Sequence, residues 1–272
     1  VGTIKGGLDR LDKTTGIFTH HQHNPSDPTT ISHNSVLAIL EGRDGVLWVG
    51  TTRGLNKFDR KSGTFKRYLH DPKDPTSLSD SHVLSLHEDR RGVLWVGTDT
   101  GGVCRFDKEQ ESFVQYTASP KEPNSPNYIN GVTVGGIMED ARGRLWFYAI
   151  LRTNYGISVF DPKTETFTHY RHDEKDPASI SFDSVRSVVQ DSKGTTWIAY
   201  QGGVVDKVDP LSQRFSVHAH STSRENSLGA GMIKSFYEDS AGMLWIGNED
   251  GFTKYDRKTN QFTAIVDVGF SD

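Results

Sequence analysis

Five tryptophans recur at Trp48, Trp95, Trp146, Trp197 and Trp245, with spacings of 47, 51, 51 and 48 residues. Each sits in a segment resembling Val-Leu-Trp-Val-Gly-Thr. A period of this length marks a repeat architecture built from one supersecondary unit, copied along the chain. The unit from Val83 to Tyr116 resolves into four short β-rich runs: Val83 to Glu88, Val93 to Thr98, Val103 to Asp107 and Ser112 to Tyr116. They are called strands a, b, c and d.

The turns agree with an antiparallel meander. Between strands a and b, Asp89-Arg90-Arg91-Gly92 places glycine where a tight hairpin needs positive φ, and Gly45, Gly143, Gly194 and Gly242 recur at the same point. No 3.6-residue apolar period competes with this reading. Strands a and b are apolar on both faces, as in Val36-Leu37-Ala38-Ile39 and Leu47-Trp48-Val49, so each sheet must be covered on both sides. Radially stacked blades meet that need and shield strand edges. The third residue of strand a is small in every unit (Ala38, Ser85, Gly136, Ser187, Ser235), as convergence toward an axis requires.

The expected fold is therefore all-β, a β-propeller of four-stranded antiparallel blades. Six are visible, over residues 1–23, 33–70, 81–117, 131–170, 183–218 and 231–268, the first comprising strands b, c and d and lacking its inner strand. Propellers have about 4 to 8 blades. A missing strand would close the ring at six, and a further blade would make seven.

The 272 residues carry 31 Lys+Arg against 35 Asp+Glu, a net charge of −4 with no basic stripe. Nucleic acid is not an expected partner. No apolar run approaches the roughly 20 residues of a membrane-spanning helix, and direct membrane contact is not expected. The chain opens in mid-repeat at Val1, as a piece of a longer protein would. The lone Cys104 excludes an internal disulfide and a cysteine-based zinc site, and is expected to be a small buried thiol.

The strings Thr-Phe-Lys-Arg-Tyr-Leu-His-Asp-Pro-Lys-Asp-Pro-Thr-Ser-Leu-Ser (Thr64 to Ser79) and Val-Leu-Ser-Leu-His-Glu-Asp-Arg-Arg-Gly-Val-Leu-Trp-Val-Gly-Thr (Val83 to Thr98) resemble the two-component regulator propeller repeat. The resemblance runs along essentially the whole chain. It implies the periplasmic ligand-sensing domain of a bacterial signalling receptor, with oligosaccharides a known ligand class, an output module elsewhere, and a homodimer formed through the full-length receptor. Blade four departs from it with Phe147-Tyr148 in place of Val-Gly, and blade five with Thr196-Trp197-Ile198-Ala199-Tyr200. The last linker, Ala219 to Gly231, lacks the Asp-Pro pattern.

Comparing the units with one another locates the variable face. The step from strand a to the tryptophan is 12 in all five complete blades, and that from the Asp closing strand c to the Phe of strand d is 6 in all six. By contrast, Trp to the strand-c Asp runs 11, 12, 15, 12 and 11, and Phe to the next strand a runs 18, 18, 21, 18 and 18. The b–c loops and d–a linkers open on one face of a propeller, and scaffolded variable loops concentrate binding residues. Candidate ligand contacts there are Tyr148, Arg152, Asn154 and Tyr155 in one insertion, Asn127 and Tyr128 in the other, and Tyr200 and Gln201 on the next blade. Aromatic faces beside amide and guanidinium groups suit a sugar or peptide. The second position of strand a reads Leu37, Leu84, Gly135, Arg186 and Lys234. Its two cations are expected to reach water, where they could meet an anionic ligand or a partner carboxylate.

Other motifs read as structure. The recurring His-Asp-Pro-x-Asp-Pro linkers (His70 to Pro75; His172, Asp173, Asp176 and Pro177) suit turn geometry. Glu88-Asp89, Glu139-Asp140 and Glu238-Asp239 recur as turn formers, unlike one catalytic pair across a cleft. The histidines at 20, 21 and 23 and at 218 and 220 lack a third ligand at metal spacing, so neither metal nor cofactor is expected. The chain reads as a binding domain and not an enzyme, with a carbohydrate-active propeller lyase or hydrolase, or a protein-interaction scaffold, as the alternatives.

Overall fold

A computed structural model describes residues 1–119, 128–150, 155–209, 214–223 and 226–266, and no helix occurs among them. The chain divides into two compact units, Val1–Ile137 with Glu165–Phe167, and Met138–Thr164 with Thr168–Asp272.

In the first unit, β1 (Leu8–Leu11) and β2 (Phe18–His21) pair alone. The expected strand b of this first blade is reduced to one isolated bridge, Gly2 with Leu8. Two complete blades follow: β3 (Val36–Glu41), β4 (Leu47–Thr51), β5 (Gly54–Asp59) and β6 (Thr64–Tyr68), then β7 (Val83–Glu88), β8 (Leu94–Thr98), β9 (Val103–Asp107) and β10 (Ser112–Tyr116). A fourth sheet has the order β11 (Gly136–Glu139), β12 (Leu145–Tyr148), β13 (Ile157–Asp161), β14 (Thr166–Tyr170). Its inner strand begins at Gly136, two residues after the expected Val134. The second unit continues with β15 (Val185–Gln190), β16 (Thr196–Tyr200), β17 (Val204–Val208) and β18 (Phe215–Ala219), then β19 (Ile233–Glu238), β20 (Leu244–Asn248), β21 (Gly251–Asp256) and β22 (Gln261–Val266). Each of the five sheets is a meander in chain order.

Strand a carries a register shift in four blades, between Val36 and Ala38, Val83 and Ser85, Val185 and Ser187, and Ile233 and Ser235. The skipped residue is the second one, so Leu37, Leu84, Arg186 and Lys234 all sit on bulges, which re-aim a side chain and free it from cross-strand pairing. That freedom accounts for the variety seen there. The third residue, by contrast, faces another small one: Ala38 opposite Gly50, Ser85 opposite Gly97, Ser187 opposite Ala199, Ser235 opposite Gly247. A Cβ on Gly50 would lie 2.5 Å from Val83 Cγ1, and one on Gly97 2.4 Å from the Val134 carbonyl oxygen. The next inner strand presses directly on this pair, which keeps it small.

The core is a set of layers between successive sheets. One joins Trp48, Leu55 and Tyr68 to Leu78, Val83, Leu94, Val96, Phe106 and Phe113 of the next blade. Another joins Trp197 and Val205 to Leu228, Ile233, Leu244, Ile246 and Tyr255. Four of the five linkers supply a buried anchor, Ile31, Leu78, Ile180 or Leu228, none more than 1% exposed. Its carbonyl accepts a hydrogen bond from a histidine eight residues earlier: His23 to Ile31 (2.8 Å), His70 to Leu78 (2.6 Å), His172 to Ile180 (2.8 Å) and His220 to Leu228 (2.9 Å). A carbonyl can only accept, so Nδ1 carries the proton in each. The last linker keeps this staple although its Asp-Pro pattern is gone.

Candidate functional site

Within each unit, the b–c hairpins are tied to the d–a linkers by glycines that open strand c. Gly7, Gly54, Gly102 and Gly156 all have positive φ (86, 117, 76 and 64°). Their amides donate to linker carbonyls of Asn34 (2.9 Å), Ser81 (2.7 Å), Val132 (2.6 Å) and Asp183 (3.1 Å). A Cβ on Gly156 would stand 2.1 Å from the Tyr170 carbonyl oxygen, so a side chain is excluded there. The loops that vary in length are thus carried on fixed hinges.

A second repeated link lies beneath these loops, between the residue after the linker anchor and the residue three before the Asp that closes strand c. The Ser32 amide donates to Asn56 Oδ1 (2.8 Å), the Ser79 amide to Cys104 Sγ (3.4 Å), the Ser181 amide to Asp206 Oδ2 (2.8 Å) and the Gly229 amide to Thr253 Oγ1 (2.8 Å). Cys104 is fully buried and serves as one of these acceptors.

In the second unit this geometry corrects the expectation for Tyr200. Its ring is completely buried, and its hydroxyl donates to Asp206 Oδ2 at 2.7 Å. Burial and the Asp206 charge push the phenol well above its ordinary pKa. Tyr200 therefore offers no face to a ligand. Tyr148 is half-buried against the layer containing Trp146 and Tyr200, and burial raises its phenol. Tyr155 is half-buried and precedes the Gly156 hinge, while Gln201 is exposed at the β16–β17 turn. Tyr128, in the first unit, is half-buried. Asn127, Arg152 and Asn154 lie outside the described residues.

One of the two bulge cations, Lys234, is paired within the chain. Lys234 Nζ lies 2.9 Å from Glu249 Oε1, and the Met232 amide donates to the other carboxylate oxygen at 3.3 Å. Lys234 first, then that amide and Arg186, hold Glu249 below the usual carboxylate range. The charge of Lys234 is thus met by a carboxylate of this chain. This pair stands at the lip of a groove of about 440 Å³ whose walls include Asn248, Asp250, Phe252 and Ile265.

The sequence reading missed Phe182. It occupies the linker position held by His33, Asp80 and Ala230 in other units, and it is 44% exposed. His172 stacks on it with centroids 6.1 Å apart and an interplanar angle of 26°, and Tyr200 supports it edge-on at 5.7 Å. With Val204 and Val217, His172 and Phe182 line a groove of about 380 Å³ rimmed by Asp173 and Glu174. The Asp183 carboxylate accepts the His172 amide at 2.7 Å, and its carbonyl holds the Gly156 hinge, so Tyr155 is brought to the same edge. The available signal was an aromatic residue at a linker position that is otherwise polar or small.

The remaining motifs are accounted for structurally. Asp89, Asp140, Asp191 and Asp239 cap their own turns. Glu88 accepts the Arg43 amide of the preceding turn at 2.8 Å, and Glu238 accepts the Ser192 amide at 2.7 Å. In the Glu88-Asp89 and Glu238-Asp239 pairs the Asp is therefore engaged in its own turn and the Glu in joining blades. His21 and His218 occupy the strand-d position of Tyr68, Tyr116 and Tyr170. His218 lies 4.7 Å from the Phe262 ring. Among the described residues, no group of three or more His, Cys, Asp or Glu side chains is arranged to hold a metal ion.

Residues 30–53, 77–100 and 227–250 match the family described as two component regulator propeller. No curated protein matches the chain. Among solved structures it is similar to the extracellular domains of two hybrid two component systems from B. thetaiotaomicron. One is 23% identical with a TM-score of 0.69 over 89% of this chain and 31% of that one. The other is 20% identical with a TM-score of 0.68 over 97% and 34%. The chain thus spans about a third of the length of these structures. Virginiamycin B lyase from Staphylococcus aureus is 14% identical, with a TM-score of 0.58 over 85% of this chain and 69% of that one. At these identities the shared property is the fold, a β-propeller. The three matched segments each contain one tryptophan of the repeat, Trp48, Trp95 or Trp245, so these repeats match the two component regulator propeller.

Proposed function

We propose that this chain is a ligand-sensing, extracytoplasmic part of a bacterial two-component-type receptor, acting in the periplasm, and that its ligand is an oligosaccharide. The observation that carries the reading is the exposed Phe182 ring, stacked on His172 at the edge of an apolar groove with an acidic rim. Sugar rings present apolar faces flanked by hydroxyls, which an aromatic platform beside carboxylates and amides complements. The family match and the likeness to extracellular domains of hybrid two component systems support the sensor role. In this reading Tyr155, Gln201 and Arg186 are further ligand contacts, and bound ligand changes the geometry of a receptor homodimer.

Catalysis is not part of the proposal. The lyase with the same fold shows that propellers host enzymes, yet fold alone does not fix function, and the Glu-Asp carboxylates here are occupied in turns. The test is calorimetric titration of an oligosaccharide panel, with Phe182→Ala, Tyr155→Ala and Arg186→Ala alongside the parent chain. Phe182→Ala is expected to weaken binding about tenfold, the loss of one good stacking contact. Unchanged affinity in all three variants, or release of shortened sugars, overturns the reading.

A further inference from the structure

The residue before the Asp that closes strand c is Phe58, Phe106, Phe160 and Tyr255 in four of the five complete blades, but Val208 in the fifth. All five positions are buried. At Phe58, Phe106 and Tyr255 the ring fills the layer toward the preceding sheet. Phe58 lies 5.0 Å from His21, Phe106 lies 5.1 Å from Trp48 and 5.3 Å from Tyr68, and Tyr255 lies 4.8 Å from Trp197. Where valine replaces it, a cavity of about 80 Å³ remains, lined by Trp146, Tyr170, Thr196, Val208, Phe215 and Arg144.

The walls of that cavity are preformed for a flat guest. Trp146 and Tyr170 stack at 6.1 Å with 9° between their planes, and Phe215 meets Tyr170 edge-on at 5.5 Å. The Arg144 guanidinium sits over Trp146 at 5.8 Å. Its polar edges are already engaged. Asp140 accepts the Trp146 indole at 3.0 Å and Arg144 Nε at 2.8 Å, and Gln190 donates to the Gly194 carbonyl and Thr196. A space of this size could hold several waters at about 10–15 Å³ of such volume each, but a stable water needs 2–4 polar partners. Ring faces with spent polar neighbours favour an apolar guest.

We propose that this pocket, on the side of the a–b and c–d turns, is a binding site for a single aromatic ring, taking from outside what the other blades supply from their own strand c. The ring can come from a free small aromatic or from a phenylalanine side chain of a peptide. The proposal is independent of the oligosaccharide reading.

The test is an amide and indole NMR titration of the whole chain with phenol, with cyclohexanol, and with the peptide acetyl-Gly-Phe-Gly-amide. Phenol or the peptide is expected to shift the Trp146 indole resonance saturably, and whichever does so identifies the source. Val208→Phe is expected to raise the melting temperature and abolish that shift. Val208→Leu, a milder filling, is expected to weaken binding about tenfold and covers the case in which the phenylalanine is too large. Silence with both aromatic probes, equal shifts from cyclohexanol and phenol, or shifts that persist in a folded Val208→Phe chain each overturn the assignment.

Discussion

The Trp197 indole nitrogen donates to Asp191 Oδ2 at 2.8 Å, which joins the landmark of the repeat to the turn six residues before it. The same pair recurs as Trp95 with Asp89 (3.1 Å), Trp146 with Asp140 (3.0 Å) and Trp245 with Asp239 (2.8 Å). The other oxygen of Asp191 takes the amides of Lys193 and Thr195 at 3.0 Å each, and Arg257 of the following sheet lies 3.1 Å from Oδ2. One carboxylate thus sets the hairpin, orients the buried indole and joins two blades. The second blade has Gly42 at this position, and there Asp44 caps the turn through the Val46 amide.

Removing that carboxylate leaves the buried Trp197 indole N–H without its acceptor and the largely buried Arg257 guanidinium with only Glu238 and the Gly242 carbonyl. Asp191→Ala is expected to lower stability by about 3–5 kcal/mol, the cost of breaking a buried ion pair from one side. Urea unfolding followed by tryptophan fluorescence measures it. A loss under about 1 kcal/mol, the value of an exposed pair, would show that the carboxylate is not the joint described.

Tyr200 separates stability from binding. Tyr200→Phe deprives buried Asp206 of one donor while Ser181 still supplies its amide and its hydroxyl, at 2.8 and 2.6 Å. The expected cost is about 1–3 kcal/mol, with oligosaccharide affinity unchanged in calorimetry. Weaker binding at undiminished stability would return Tyr200 to the ligand site.

How much of this was legible follows from what repeats. The Trp period, the turn glycines and the small residues of strand a recur in one register, so blades and hairpins could be read from spacing alone. The Asp–Trp bond recurs too, but a hydrogen bond across a turn has no signature in apolar periodicity, and Asp89 and Asp140 read simply as turn formers. The site was less legible because its residues depart from the repeat in opposite ways. Tyr200 and Phe182 are both aromatic intrusions at positions that are polar or small elsewhere, and only the fold shows that one points into the core and the other to solvent. The sequence left Lys234 open to an anionic ligand or a carboxylate because its partner Glu249 lies fifteen residues on, across a hairpin.

Cys104 provides a chemical readout of the latch beneath the linker face. Its thiol is fully buried and in contact with Ser79 Oγ at 3.0 Å, and burial pushes its pKa up. Since the thiolate is the reactive form, the native chain is expected to be inert to a disulfide reagent such as dithionitrobenzoate. Reaction should appear only across the urea transition. Stoichiometric reaction of the native chain within minutes would place the sulfur at the surface instead.

His218 sets part of the pH dependence of stability. Burial first, and then the charge of Lys207, lower its pKa below the ordinary 6.5, and its Nε2 is buried without a partner. The folded state therefore prefers the neutral ring, while the unfolded chain takes up a proton near the ordinary value. The stabilisation is fully present above that value. It is lost as pH falls through it toward the depressed folded value, where the loss is complete. Since Tyr68, Tyr116 and Tyr170 occupy this position in other blades, His218→Tyr should fold, and it removes one titrating group. Urea midpoints at about pH 7.5 and about pH 5.0, on either side of an ordinary histidine, are expected to differ less in the variant than in the parent. The difference should not vanish, because His21 and His33 are lowered by burial in the same sense. An unchanged pH difference in His218→Tyr would mean that the unfolded and folded chains hold His218 in the same protonation state over this range.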